Sequence, residues 1–170
     1  MNKLTLETHN LKKSFHHVNG PITLFNNLNL KLKEGELVAL VGPSGSGKSS
    51  LLHLLALLDE PSNGRIIINS KETENLSDEQ KDKIRRKNIS IIFQDNNLLN
   101  DFTAIENVMM PLIISGENLN EALEKSKKML KNVKIYDRSN HFPNELSGGE
   151  QQRVAIARAL ISDTKIILAD

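Results

Sequence analysis

Gly42-Pro43-Ser44-Gly45-Ser46-Gly47-Lys48-Ser49 decides the fold. Glu36 to Val41, just before it, is a mostly apolar run that predicts a strand. Ser49 to Leu58, just after it, is almost continuously apolar and predicts a helix buried on most sides. Strand, glycine loop and helix in that order are the context a phosphate-binding loop, or P-loop, requires. Small residues are needed there because the backbone must wrap closely around phosphate oxygens, with successive N–H groups and a helix N-terminus supplying positive potential. Gly42, Gly45 and Gly47 permit the wrap, with Pro43, Ser44 and Ser46 between them. Lys48 is placed to reach the β- and γ-phosphates, and the Ser49 hydroxyl to ligate Mg²⁺, with Ser50 beside it.

Outward from the loop, Leu4-Thr5-Leu6-Glu7 and Leu28-Asn29-Leu30-Lys31-Leu32-Lys33 alternate with period two, the pattern of half-buried strands in an antiparallel layer. Glu34-Gly35-Glu36 and Pro61-Ser62-Asn63-Gly64 read as turns, and Arg65 to Asn69 as a short strand. Asn88 to Phe93 predicts a strand leading to Gln94. Beyond Phe102 the period becomes helical, in Ala104 to Ile114 and in Asn120 to Val133, where Leu119, Leu123, Ser126, Leu130 and Val133 line one face. Gln151 to Ile161 predicts an alanine-rich helix, and Lys165 to Ala169 a final buried strand.

Leu146-Ser147-Gly148-Gly149-Glu150-Gln151-Gln152-Arg153 adds what the first loop cannot. Ser147 and Glu150 have the spacing of a capping box, so Gly148 and Gly149 leave an unobstructed backbone at a helix start. A helix start of that kind is a second anion site in the same chain. Ile166-Ile167-Leu168-Ala169-Asp170 then reads as an apolar strand closing on an acid.

Loop, LSGGEQQR and acidic strand, in this order, resemble the nucleotide-binding subunits of ATP-binding cassette (ABC) transporters. The resemblance covers essentially the whole chain. It implies an α/β fold, a P-loop NTPase (RecA-like) core with an antiparallel β layer and a helical insert, incomplete at the C-terminus. Residues 1–94 would form the β layer and P-loop core, 95–145 the helical insert, and 146–170 the signature helix and acidic strand. ATP and Mg²⁺ are the implied cofactors, with Asp170 holding the metal together with Ser49. Gln94 matches the glutamine that reaches the metal and the attacking water. Phe15, in Leu11-Lys12-Lys13-Ser14-Phe15, matches the aromatic residue that stacks on adenine, often Tyr in the family. Two copies would pack head to tail, so that Ser147, Gly148 and Gly149 of one contact the γ-phosphate bound by the P-loop of the other.

Ser49-Ser50-Leu51-Leu52-His53-Leu54-Leu55 and Leu98 to Val108 point to the subgroup that serves lipoprotein release, with macrolide-exporting and cell-division relatives. That implies integral membrane permease partners and a peripheral place on the cytoplasmic face of the inner membrane. Asp95-Asn96-Asn97 and Asn100 depart from the more aromatic, Pro-bearing loop of the subgroup. The family's catalytic Glu, D-loop and switch His lie beyond the position of Asp170, so hydrolysis is not expected of these 170 residues by themselves. A non-transport ABC ATPase and a binding-only remnant are the alternatives; the former usually carries a second cassette or a long coiled coil, which are not present here.

Composition narrows the remaining classes. A chain of 170 residues with 38% hydrophobic content suits one globular unit. Lys+Arg 22 against Asp+Glu 21 leaves a formal net charge of +1, with no bulk field for nucleic acid or anionic lipid. Lys81 to Lys87 mixes signs without interleaved aromatics and reads as a solvated surface rather than a nucleic-acid site. His16-His17 lacks metal-ligand spacing, and zero cysteines exclude disulfides and thiolate sites. No run approaches the roughly 18 apolar residues that span a bilayer, so a membrane role requires a partner.

Overall fold

Alternating apolar positions build the first layer of the computed structural model, which describes residues 3–18 and 20–170. Strand β1 (Leu4–Phe15) pairs antiparallel with β2 (Ile22–Lys33) on one edge and with β3 (Asn63–Ile68) on the other. A short β4 (Lys71–Glu72) completes the order β2-β1-β3-β4. The antiparallel layer is therefore as expected, but β1 and β2 are longer than their alternation implied. Left-handed residues at Asn10 (φ 50) and Asn27 (φ 56) coincide with register shifts along β1 and interrupt the period. Gly64 (φ +86) is required at the β1 bulge, where a Cβ would lie 2.4 Å from the Asn10 carbonyl oxygen.

Leu6, Leu11, Leu54 and Ile68 are fully buried beneath this layer, so helix α1 (Lys48–Leu55) brings its apolar side into the core of the unit that ends at Ile89. The helix is shorter than the apolar run to Leu58, because the chain turns left-handed at Leu57 (φ 57). One expectation fails. Glu36 to Val41 forms no strand, and Leu37 and Val41 are 99% and 88% exposed. Apolar sequence makes a strand only where a neighbour supplies ladder hydrogen bonds, and among the described residues none does so here. The same unit contains helix α2 (Asp78–Asn88), started by Ser77, whose N–H donates to Gln80 Oε1 at 3.0 Å while Ser77 Oγ accepts from the Gln80 N–H at 3.4 Å. The reading of this stretch as solvated surface holds for Lys83, Arg86 and Lys87 but not for the half-buried Lys81 and Arg85, which bond to Glu60 and to the Leu57 carbonyl, and it missed the helix that carries them.

From Ser90 onward a second unit is built on helices α3 (Ala104–Ile114), α4 (Leu119–Asn132) and α5 (Gly148–Leu160), beside a two-stranded sheet of β5 (Ile89–Ile92) and β6 (Ile166–Ala169). Val108, Leu130, Val154 and Ala157 meet in its core. The inner face of α4 is Ala122, Ser126 and Leu130, spaced four apart; Leu119, expected on that face, is exposed. Ile166 and Leu168 are buried while Ile167 is half-exposed, so β6 packs on one face rather than both.

Asn107 organises the loop ahead of α3. Fully buried, it accepts from the Leu99 N–H at 2.8 Å and donates to the carbonyls of Leu99, Phe102 and Thr103. Thr103 then starts α3, with Glu106 accepting from both its N–H and its hydroxyl.

Candidate functional site

The glycine loop begins as an exposed turn and ends against the β layer. Gly47 (φ +87) caps α1, and a Cβ there would come within 3.0 Å of Leu24 Cβ on β2. Glycine at this point lets the loop press onto β2 and then enter the helix, which leaves the Leu51 N–H bonded to the Gly47 carbonyl at 2.8 Å. Lys48 is the first helical residue, and its Nζ folds back to the carbonyls of Gly42 and Pro43 at 2.9 and 2.8 Å. The side chain thus spans the loop it would close over a phosphate. Ser49 and Ser50 follow in the first helical turn.

Phe15 belongs to the same unit. It closes β1 opposite Ile22, with Ser14 opposite Thr23 and Lys13 opposite Phe25. Leu24 and Phe25, the β2 residues nearest Gly47, are therefore cross-strand neighbours of the segment that carries the ring. The structure brings Phe15 and the glycine loop onto one corner of one sheet. Phe15 as a whole is 45% exposed.

In the second unit, Gln94 stands in the exposed turn just after β5, and Asp170 just after β6. The Asp170 N–H donates to the Ile92 carbonyl at 3.0 Å, so the two polar residues leave neighbouring strands at the same end. Arg158 of α5, unremarked in the sequence, fixes the next part of this loop. Its guanidinium donates to the carbonyls of Asn96 and Asn97, each at 2.7 Å, and both asparagines are left-handed (φ 58 and 45). Burial pushes the Arg158 guanidinium down from its ordinary value. The signal that could have found it is an arginine inside an otherwise small-residue helix, Val154-Ala155-Ile156-Ala157-Arg158-Ala159.

Ser147 is the N-cap of α5. Its N–H and its hydroxyl both donate to the Glu150 carboxylate at 2.8 Å. These two bonds, with help from Arg138, hold the Glu150 carboxyl below its usual range. Cβ atoms added at Gly148 or Gly149 would meet nothing within 4 Å. Nothing inside this unit's packing demands glycine there; the bare backbone faces open space.

Ser49, Gln94 and Asp170 offer a hydroxyl, an amide oxygen and a carboxylate. All three are hard oxygen donors of the kind Mg²⁺ takes alongside water and nucleotide phosphates. Ser49 lies in the unit ending at Ile89, and the other two in the unit that follows. Among the described residues no group of three His, Cys, Asp or Glu could hold a metal ion.

Comparison with known proteins gives consistent matches. The family profile described as ABC transporter matches residues 25–170. The chain is 48% identical over 172 residues to the lipoprotein-releasing system ATP-binding protein LolD of Rickettsia bellii, spanning 100% of this chain and 75% of that protein. To the protein of the same name from Hyphomonas neptunium it is 43% identical, over 97% of this chain and 72% of the relative. A solved ATP-binding cassette, in a dimeric post-hydrolysis state bound to ADP and Pi, superposes with a TM-score of 0.92 at 42% identity, covering 97% of this chain and 73% of that one. A dimeric bacterial ABC transporter cassette superposes at 0.93, with 42% identity and the same coverage. The fold is thus that of an ABC cassette, with its P-loop NTPase core, antiparallel layer and helical part.

Proposed function

Because this chain belongs to the ABC transporter family, we propose that it is the ATP-binding subunit of a lipoprotein-releasing system, binding Mg-ATP to power a membrane partner. The observation that carries this reading is the presence of two helix starts with different equipment, that of α1 half-buried and that of α5 exposed. Lys48 opens α1 behind a glycine loop, and Ser147 caps α5 ahead of two glycines whose Cβ positions are vacant. A single nucleotide needs one cradle, so a second phosphate contact in the same chain is an asset chiefly to a second copy. Support for a pair comes from the dimeric state of two similar cassettes.

In this reading the loop N–H groups from Gly42 to Ser50 hold the phosphates and Lys48 neutralises them. Phe15 stacks on adenine, and Ser147, Gly148 and Gly149 meet the γ-phosphate held by the other copy. Ser49, Gln94 and Asp170 hold Mg²⁺, which when bound screens phosphate charge; Gln94 also orients the attacking water. Residues 1–94, 95–145 and 146–170 serve as nucleotide core, helical insert, and signature helix with acidic strand. No described helix is long and apolar enough to cross a membrane. In this reading, attachment to the cytoplasmic face of the inner membrane runs through integral permease subunits.

The test is Lys48→Ala. A charge-assisted contact to phosphate is worth about 1.5–3 kcal/mol, so ATP affinity falls by roughly ten- to a hundredfold in equilibrium binding. Unchanged affinity would remove the glycine loop from the nucleotide site.

A further inference from the structure

Lys13 is a cation kept where charge is expensive. The residue is 7% exposed, on the sheet of the first unit, two positions before Phe15. Its Nζ meets Asp59 Oδ2 at 2.6 Å, donates to the Glu60 carbonyl at 2.8 Å, and lies 4.9 Å from the centre of the Phe15 ring. Only the Lys13 side of the pair is buried, the Asp59 side chain being 39% exposed, and an ion pair that reaches solvent contributes little net stability, so the pair is poorly explained as a source of stability. What it does supply is geometry. Asp59 and Glu60 follow the exit of α1, so Lys13 ties the ring-bearing end of β1 to the far end of the P-loop helix. At the near end of that helix, Gly47 presses on Leu24, the β2 residue between the partners of Lys13 and Ser14. Helix α1 is thereby held to the same sheet corner at both ends. At about 1.5 Å per residue it acts as a rigid spacer between ring and phosphate loop.

We infer that Lys13, clamped by Asp59, is a positioning residue that sets the Phe15 ring to receive a nucleotide base at a fixed span from the P-loop. The ammonium sits against the ring by cation–π attraction, and the exposure of Phe15 leaves room for a base to stack. The inference rests on the nucleotide site proposed above but concerns only the base end of the ligand. It separates the two ends of the site. Phosphate affinity belongs to Lys48 and the loop amides, and base affinity to Phe15 as oriented by Lys13.

The experiment measures equilibrium binding of Mg-ATP and of Mg-tripolyphosphate, which has no base, to the full chain and to Lys13→Met, Lys13→Arg, Asp59→Asn and Phe15→Ala. Lys13→Met is expected to weaken ATP by roughly two- to tenfold, the worth of one oriented stack, and to leave tripolyphosphate unchanged. Asp59→Asn, close to isosteric, should show a selective loss of the same kind, and Lys13→Arg should recover most of it. In a Phe15→Ala background, Lys13→Met should no longer change the ratio of the two affinities. Parallel loss of both ligands, or an unchanged ratio in folded Asp59→Asn, overturns the inference while leaving the P-loop reading intact. Failure of the parent chain to bind either ligand overturns both.

Discussion

Two residues show how side-chain identity is dictated by what lies within a few ångströms. At Gly47 the left-handed φ and the 3.0 Å approach of Leu24 Cβ disfavour a side chain for separate reasons, one conformational and one steric. Gly47→Ala is expected to cost about 1–2 kcal/mol of stability from backbone strain alone. Urea unfolding measures that loss, and ATP binding should weaken alongside it, since the loop can no longer seat on β2. Asn107 is the opposite case, a polar residue that the core accepts because its carbonyl and amide groups are all engaged. Asn107→Ala takes away the acceptor of the Leu99 N–H and the side-chain donor to the Phe102 carbonyl, while the Leu99 and Thr103 carbonyls keep the backbone N–H groups of residues 102 and 107; it should destabilise by about 2–3 kcal/mol, without altering nucleotide affinity in the folded fraction. The glycine at 47 was legible because a P-loop needs one there. The partners of Asn107 and of Lys13 were not, since a single sequence carries no record of which distant carbonyl or carboxylate will lie within 3 Å.

At the scale of elements, periodicity located α3, α4 and α5 closely, and it located β5 and β6. It overran at Glu36 to Val41, because five apolar residues state a preference while a strand needs a partner. It missed α2, whose sequence is almost wholly polar; there the start signal Ser77-x-x-Gln80 was present and the apolar stripe was not. Helix α5 shows an element with three jobs. Its N-terminus presents Ser147 with bare glycines, its middle buries Val154 and Ala157, and Arg158 near its end grips the loop that follows Gln94. Removing that grip should free the loop without unfolding the helix. Arg158→Met is expected to raise amide exchange across Asn96 to Leu98 by about tenfold or more, since two hydrogen bonds from a charged donor are lost. Hydrogen exchange read by mass spectrometry checks this, and protection unchanged in that loop would show that the asparagines hold their left-handed turn alone.

For the whole molecule, the consequential feature is that one chain carries both a cradle and a cap. The order of motifs along the sequence suggests a pair of subunits through the resemblance to ABC cassettes, in which Lys48 and Ser147 could be recognised from local pattern. The engagement of the Ser147 hydroxyl could not. In the structure its hydrogen is directed to Glu150, whose carboxyl is held below its usual range because the two bonds from Ser147 favour its charged form. In the proposed pair, a γ-phosphate from another copy would therefore compete with Glu150 for that hydrogen, while the exposed N–H groups of the helix start and the vacant space over Gly148 and Gly149 would offer it the stronger share of the contact. Ser147→Ala should then weaken nucleotide-driven pairing only modestly. Ser147→Arg should abolish it, by filling the space above the glycines with a long side chain. ATP binding by the single chain should survive both changes, since the loop from Gly42 to Ser49 is untouched. Light-scattering mass with and without a hydrolysis-resistant Mg-ATP analogue, alongside nucleotide affinity, gives the readout. A Ser147→Arg chain that pairs as well as its parent would reduce the serine and its glycines to an ordinary helix cap.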